Sequence, residues 1–415
     1  MIHYFNPGHE AAVLTDSPFY QPPAAVVKMQ EDLAFLPFWY ADPGDFICVP
    51  SPLPAEFESL CNALNINAAV CHCGLDPQSV GGQSTFLEIA DQVRNDRLLS
   101  PSLKPAMTGC QFLKDQKADF WGLSRQAIHT FENYSKQYDL SLDLPEWKDE
   151  YRKLSSRELA ADYLSSLAKE IPDISKDIIP SFFSDLSEIE EYNRLSPDKL
   201  LAKSPYSSSG RGLLWLEHPS LSRSSRQIIQ GILNRQKKVS LEKALEKVLD
   251  FSMHFSQDAF IGYSVFYTNP KGAYEKTWLA SQEKMESRLT QYVSPELLVK
   301  VRRFLLRFIK ERITPYYRGS VGVDMMVYRS GGKHRLHPCV EINLRKSMGY
   351  LSLRLYQNYM HPTSEGYFSV VYNSDAAFKA PVLSGDGKLK SGVMDLCPVN
   401  ADTKYRAFLT AKSSK

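Results

Sequence analysis

Apolar and polar positions alternate along this chain with two periods, and the change between them marks its elements. "MIHYF" and "DFICVP" are short apolar runs bounded by Pro and Gly, whereas "AVVKMQEDLAFLPFWYA" between them repeats its apolar positions at helical spacing. Strand, helix and strand in that order predict a βαβ start and a parallel sheet. Helical spacing returns in "SRQAIHTFENYSKQY" and in "SSRELAADYLSSLAKEI", the second with Ser155 and Ser156 as candidate caps and Glu158 in its first turn. "LSLDLPEWKDEY" separates these helices and reads as a boundary. Two further helices, "LSEIEEYNRL" and "SSRQIIQGILNR", flank the hairpin-like "LLAKSPYSSSGRGLLWL". The β-prone runs "KKVSLEKAL", "VLDFSMHFSQ" and "AFIGYSVFYTNPKGAYEKTWLAS" follow, and then an amphipathic helix, "SPELLVKVRRFLLRFIKERI", capped at Ser294 with Pro295 at its first position.

Composition narrows the partners. At 415 residues the chain is long for one hydrophobic core and suits two or three domains. Lys and Arg number 49 against 47 Asp and Glu, a formal charge of +2, so neither nucleic acid nor a membrane surface is expected as a partner. "MIHYFNPGHEAAV" lacks the order of a signal peptide and no apolar run is long enough to span a bilayer, which makes a cytoplasmic location the expectation. The cysteines, 7 in all, are scattered and fit reduced thiols. "CHCG" is a lone pair that cannot supply four zinc ligands. From there to about residue 97 the chain turns polar and rich in Gly and Ser, resembling the translated palindromic repeats inserted in some bacterial genes, and reads as a surface insertion over 71–97.

The densest chemistry lies in "VGVDMMVYRSGGKHRLHPCVEINLR". Two β-prone runs flank a turn cluster, as in a hairpin. With a loop over Gly331 to His334, Ser330 faces Arg335 and Asp324 faces Glu341, while alternation puts Asn343 on the face of Glu341. Like charges opposed across a sheet are destabilising and ask for a cation, and carboxylate and amide oxygens suit Mg²⁺ completed by water and phosphate. A solvated face with unrelated acids is the plainer alternative, since Pro338 can shift the register. The tip "SPYSSSGRG" offers hydroxyls and backbone N–H groups with Lys203 at its base, a chemistry that suits phosphate, although it lacks the order of a Walker A loop.

"LLAKSPYSSSGRG", "VSLEKALEKVLDFSM", "GSVGVDMMVY" and "VEINLRKSMG", in that order over about residues 150 to 360, resemble the ATP-grasp superfamily, whose members hold ATP between two α+β subdomains. The N-terminal part resembles the Rossmann-like pre-ATP-grasp domain. The resemblance implies an α/β plus α+β architecture: a Rossmann-like domain over 1–145, a subdomain with the phosphate loop over 146–240, one with the adenine and metal sites over 241–375, and a strand-rich extension over 376–415. It further implies ATP and Mg²⁺ (or Mn²⁺) as cofactors. Lys203 and the loop residues Ser207, Ser208, Ser209 and Gly210 match phosphate binders, and Arg157 stands where many members carry a lysine on phosphate. Glu242, with the backbone at Lys243 and Leu245, matches the adenine contact, and Asp250 the ribose contact. Asp324, Glu341 and Asn343 match metal ligands, and Arg345, with Lys203, the cations at the transferred phosphoryl. Gly322 takes the place of an arginine found in some ligases.

The activity implied is carboxylate–amine (or thiol) ligation through an acyl phosphate on a small molecule or peptide. A nucleotide-binding protein without turnover and a small-molecule kinase are the alternatives. His9 and Glu10 follow the first predicted strand, where open parallel sheets bind ligands. They read either as an acceptor-substrate pair with His9 as base, or as an ordinary helix N-terminus.

Overall fold

The computed structural model describes residues 1–50, 53–64, 66, 68–72, 113–207, 212–256, 259–270, 272–373 and 380–413. Most of the expected insertion and Ser208, Ser209 and Gly210 lie outside the described residues. Strands β1 (Ile2–Tyr4), β2 (Phe46–Val49), β3 (Ala69–His72) and β4 (Ala118–Phe120) form a wholly parallel sheet in the order β3-β2-β1-β4. Cys71 and His72 therefore belong to a strand rather than to the start of the insertion, because the register of β3 on β2 runs through Val49 and His72. The expected helix after β1 is interrupted: Ala24–Asp32 is α-helical and Leu36–Trp39 a 3₁₀ turn, with Pro37 among its first residues.

A second sheet, antiparallel, has the order β5-β8-β6-β7 from β5 (Ser181–Phe183), β6 (Leu200–Lys203), β7 (Leu213–Trp215) and β8 (Val239–Lys243). Helices Leu186–Leu195 and Arg223–Gln236 cover it, and it keeps a core of its own around Ile189, Leu200, Ala202, Ile229 and Leu241. The third sheet is the largest: β9 (Glu246–Ser256), β10 (Ala259–Thr268), β11 (Tyr274–Leu279), β12 (Ser320–Ser330), β13 (Lys333–Asn343), β14 (Ser364–Tyr372), β15 (Val382–Leu383), β16 (Leu389–Asp395) and β17 (Tyr405–Ser413). Its nine strands run antiparallel in the order β13-β12-β9-β10-β11-β14-β17-β16-β15. Only Ala244 and Leu245 separate β8 from β9, so one short crossing joins the small sheet to the large one.

Alternation decides which face of the large sheet is core. Phe251, Met253, Phe255, Val321, Val323, Met325 and Val327 are all buried on one face and join the helices Glu158–Glu170 and Pro295–Phe308 in a single cluster with the parallel sheet. Ser294 caps the second helix as the sequence predicts, accepting from the Leu297 N–H at 3.2 Å. A separate cluster holds Trp39, Leu351, Leu355, Phe368 and Leu409, packing the helix Met348–Tyr359 and the C-terminal strands against the N-terminal helices. Against the expectation of reduced thiols, Cys48 in β2 is disulfide-bonded, while Cys61, Cys339 and Cys397 are free and buried. Among the described residues no helix is long and apolar enough to cross a membrane.

Candidate functional site

The hairpin β12–β13 closes on a two-residue turn, Gly331 and Gly332, with φ of +58° and +73°. Both central residues at positive φ make the primed turn that matches strand twist, and only glycine takes it without strain. Ser330 consequently pairs with Lys333 and Tyr328 with Arg335, two residues out of step with the expected loop. The register is then reset, since Met326 faces His337 but Asp324 faces Glu341, so that Met325 alone stands against Pro338, Cys339 and Val340. Proline cannot donate to the ladder and is accommodated at such an irregularity. The bulge thus restores the opposition of Asp324 and Glu341 that the tighter turn would have removed.

Pairing with β9 extends this into three rungs on the face opposite the core. Asp250, Met326 and His337 form one; Ser252, Asp324 and Glu341 the next; His254, Gly322 and Asn343 the third. Successive rungs lie about 7 Å apart. On the middle rung the Ser252 hydroxyl donates to Asp324 Oδ1 at 2.6 Å, and from the third Asn343 Nδ2 donates to Asp324 Oδ2 at 3.0 Å. Burial, reinforced by the charge of Glu341, pushes the Asp324 carboxyl up to about 6 in spite of these two donors. Glu341 has a counter-ion: Arg157 Nη2 lies 3.1 Å from its Oε1. The same guanidinium donates from Nε to the Ser204 carbonyl at 3.2 Å and from Nη2 to Ser207 Oγ at 3.5 Å, tying the base of the Ser/Gly loop to the carboxylate rung.

The small sheet brings its own charged pair. Lys203, only 4% exposed, places its ammonium 2.5 Å from Glu242 Oε2. The pair follows from topology, because Leu201 of β6 is the register partner of Glu242 and Lys203 that of Ser240. The Lys243 side chain turns away to Asp198 at 2.8 Å, and Leu245 packs against the main core. Asp250 is held by Lys247 at 2.6 Å and by the Thr268 hydroxyl at 3.1 Å. Lys276 does not join these groups; its ammonium lies over the rings of Tyr267 and Tyr367.

At the far end the parallel sheet meets the hairpin. Asn6, after β1, exchanges hydrogen bonds with Gly122, after β4, at 2.7 and 3.0 Å, and Gly122 forms a bridge with Arg345. A side chain at Gly122 would place its Cβ 2.3 Å from His9 Cγ, so glycine lets the His9 ring lie against this backbone. Glu10 Oε1 accepts from Arg345 Nε at 2.7 Å, and His9 Nδ1 lies 3.3 Å from Glu10 Oε2 without hydrogen-bond geometry. Burial would raise the Glu10 carboxyl, but Arg345 and His9 hold it well below the usual range. Beside it runs a second network that the sequence reading did not find: Lys346 to Asp119 at 2.6 Å, Asp119 to His3 at 2.7 Å, and His3 to Asp45 at 2.9 Å. Ser252 and the Arg157–Glu341 pair were likewise unforeseen, since each depends on elements far apart in the chain.

A divalent cation fits the middle rung. The donors are hard oxygens, and the anionic form of Asp324 is costly beside Glu341 unless positive charge is supplied. Among the described residues no three His, Cys, Asp or Glu side chains gather as a cage. Such a cation would take Asp324, Glu341 and the Asn343 amide oxygen from the protein and keep its other places for water or phosphate, as Mg²⁺ does.

No protein-family model matches the sequence, and no curated protein matches it. Solved structures do match in fold. Pyruvate carboxylase T882A from Rhizobium etli, solved with the allosteric activator acetyl coenzyme A, is similar over 100% of this chain and 36% of its own, with a TM-score of 0.51 and 9% identity. The biotin carboxylase domain of the 2-oxoglutarate carboxylase from Hydrogenobacter thermophilus, in complex with MgADP and bicarbonate, is similar over 100% and 86%, with a TM-score of 0.49 and 10% identity. N5-carboxyaminoimidazole synthetase from Staphylococcus aureus, complexed with ADP, is similar over 100% and 93%, with a TM-score of 0.45 and 9% identity. With its parallel sheet leading into two antiparallel sheets joined by the short crossing from β8 to β9, the chain shares its fold with the matched part of that pyruvate carboxylase.

Proposed function

We propose that this chain is an ATP- and Mg²⁺-dependent ligase that joins a carboxylate, on a small molecule or peptide, to an amine or thiol through an acyl phosphate. The observation that carries the reading is the order of charged groups, each set within electrostatic reach of the next: Lys203 and Glu242 at one end, the Asp324–Glu341 rung with Arg157 in the middle, Arg345 with Glu10 and His9 at the other. That order suits a nucleotide laid with its base toward Glu242, its phosphates toward the carboxylate rung and its γ-phosphoryl toward Arg345. Residues 1–145, on this reading, supply the acceptor side, 146–240 the phosphate loop and 241–375 the adenine and metal groups.

Each residue then has a physical task. Mg²⁺, held by Asp324, Glu341 and Asn343, would screen charge on the phosphates. Lys203 releases Glu242 to meet phosphate as a point charge, and Arg157 releases Glu341 to do the same with a planar fork. Arg345, oriented by Glu10, stabilises the phosphoryl group as a substrate carboxylate oxygen attacks phosphorus and the bond to ADP breaks. The His9 ring takes a proton from the incoming amine, which displaces phosphate from the acyl carbon.

The test is ADP release measured over a panel of carboxylic acids crossed with amines and thiols. Release that requires one acid and one nucleophile together supports ligation. Release with a single hydroxyl or acid acceptor and a stable phosphorylated product supports a kinase, and no release with any pair supports binding without turnover.

A further inference from the structure

Two histidines lie on the face of the large sheet opposite the core, and their rings are paired differently. His254, on the third rung, meets Ser264 Oγ with its Nε2 at 2.8 Å. His337, on the first rung and 4% exposed, has an Nδ1 with no hydrogen-bond partner. A buried polar atom left unpaired is costly and asks for a purpose. Its surroundings indicate one. The pairing of Met326 with both His337 and Asp250 fixes the ring on the same face as the carboxylate rung, about 7 Å along the strand. Burial, opposed by the charge of Glu242 and aided by that of Lys203, brings the ring down to about 4, so at neutral pH it is an uncharged imidazole with one donor and one acceptor. An uncharged ring beside Glu242, toward which the base is laid, suits a heterocycle better than a phosphate.

We propose that His337 determines nucleotide specificity: its Nδ1 hydrogen-bonds the six-membered-ring edge of the base, where adenine and guanine differ, and the register pair of Met326 and His337 is where the base is read. This rests on the nucleotide reading given above. It makes the free protein carry an unsatisfied group that the ligand satisfies, which links selectivity to a measurable cost in the unliganded fold.

The experiment compares the full chain with His337→Leu and His337→Asn, using calorimetric titration with non-hydrolysable ATP and GTP analogues in Mg²⁺, and urea unfolding without nucleotide. For His337→Leu the dissociation constant of the adenine analogue is expected to rise roughly tenfold. The guanine analogue should change little, so the preference between them collapses. The unfolding midpoint of the free Leu variant should equal or exceed that of the wild type, because the unpaired atom is gone. His337→Asn, which keeps a polar atom there, should recover part of the preference. Equal weakening of both analogues, no weakening of either, or a lowered midpoint in His337→Leu would overturn the assignment. A wild-type protein that binds neither analogue would overturn the nucleotide reading itself, whereas binding with an unaltered preference in both variants overturns this proposal alone.

Discussion

Replacing Asp324 by Asn should make the metal-free protein more stable while disabling it. In the folded chain the Asp324 carboxyl titrates at about 6, against an ordinary value of 3.8, chiefly through burial and then through Glu341. That difference makes the folded anion dearer than the unfolded one by about 3 kcal/mol. Between the two values the folded state holds a proton that the unfolded state has lost, so stability of the wild type falls as pH rises through this window. The amide introduced by Asp324→Asn would still accept from Ser252, but it would face the amide of Asn343 unless one of them turns, so the net gain at neutral pH is expected to be about 1–3 kcal/mol. Urea unfolding in the presence of a chelator, at about pH 4 and at neutral pH, reads it as a difference between variant and wild type. The gain should be near zero in acid and full at neutral pH. A variant less stable than the wild type at neutral pH, or a difference that ignores pH, would refute the charge-opposition argument.

Other substitutions probe the rest of the site. Glu341→Gln should keep the fold, shown by an unchanged circular dichroism spectrum, yet lose Mg²⁺-dependent ADP release, because a ligand charge worth several kcal/mol to the transition state is removed, on the order of a thousandfold or more in rate. Lys203→Ala should weaken binding of an ATP analogue roughly tenfold in calorimetry, and an unchanged constant would remove Lys203 from the phosphates. Glu10→Gln and His9→Ala should leave that affinity intact but depress ADP release stimulated by the true acceptor. If both variants turn over normally, the pair is part of the packing against Gly122 and no more.

Short-range chemistry was the legible part of this chain. Period-two alternation in "FSMHFS" puts Ser252 and His254 opposite Phe251, Met253 and Phe255, and the structure buries the latter in the core. The hairpin was legible in kind but not in detail. Gly331–Gly332 forms the tighter turn, and the bulge at Pro338 that compensates is a matter of local sterics that spacing alone does not fix. The pairs that tie the site together were not legible at all. Arg345 and Glu10 are 335 residues apart, and Lys346 and Asp119 are 227 apart. Nothing local distinguishes such side chains from surface charges until the sheets are set against one another. His337 escaped for a different reason: a histidine in a strand is ordinary until its partner is found to be missing.

A nucleotide is expected to bind between Glu242 and Arg345 with a cation on the Asp324–Glu341 rung. Calorimetric titration of the full chain with a non-hydrolysable ATP analogue, with Mg²⁺ and then with chelator, addresses it most directly. One saturable site is expected, markedly tighter with Mg²⁺, with the Mg²⁺ enhancement abolished in Glu341→Gln while the weaker metal-free binding persists. No saturable binding by the wild type, or an Mg²⁺ enhancement that survives intact in Glu341→Gln, would contradict it.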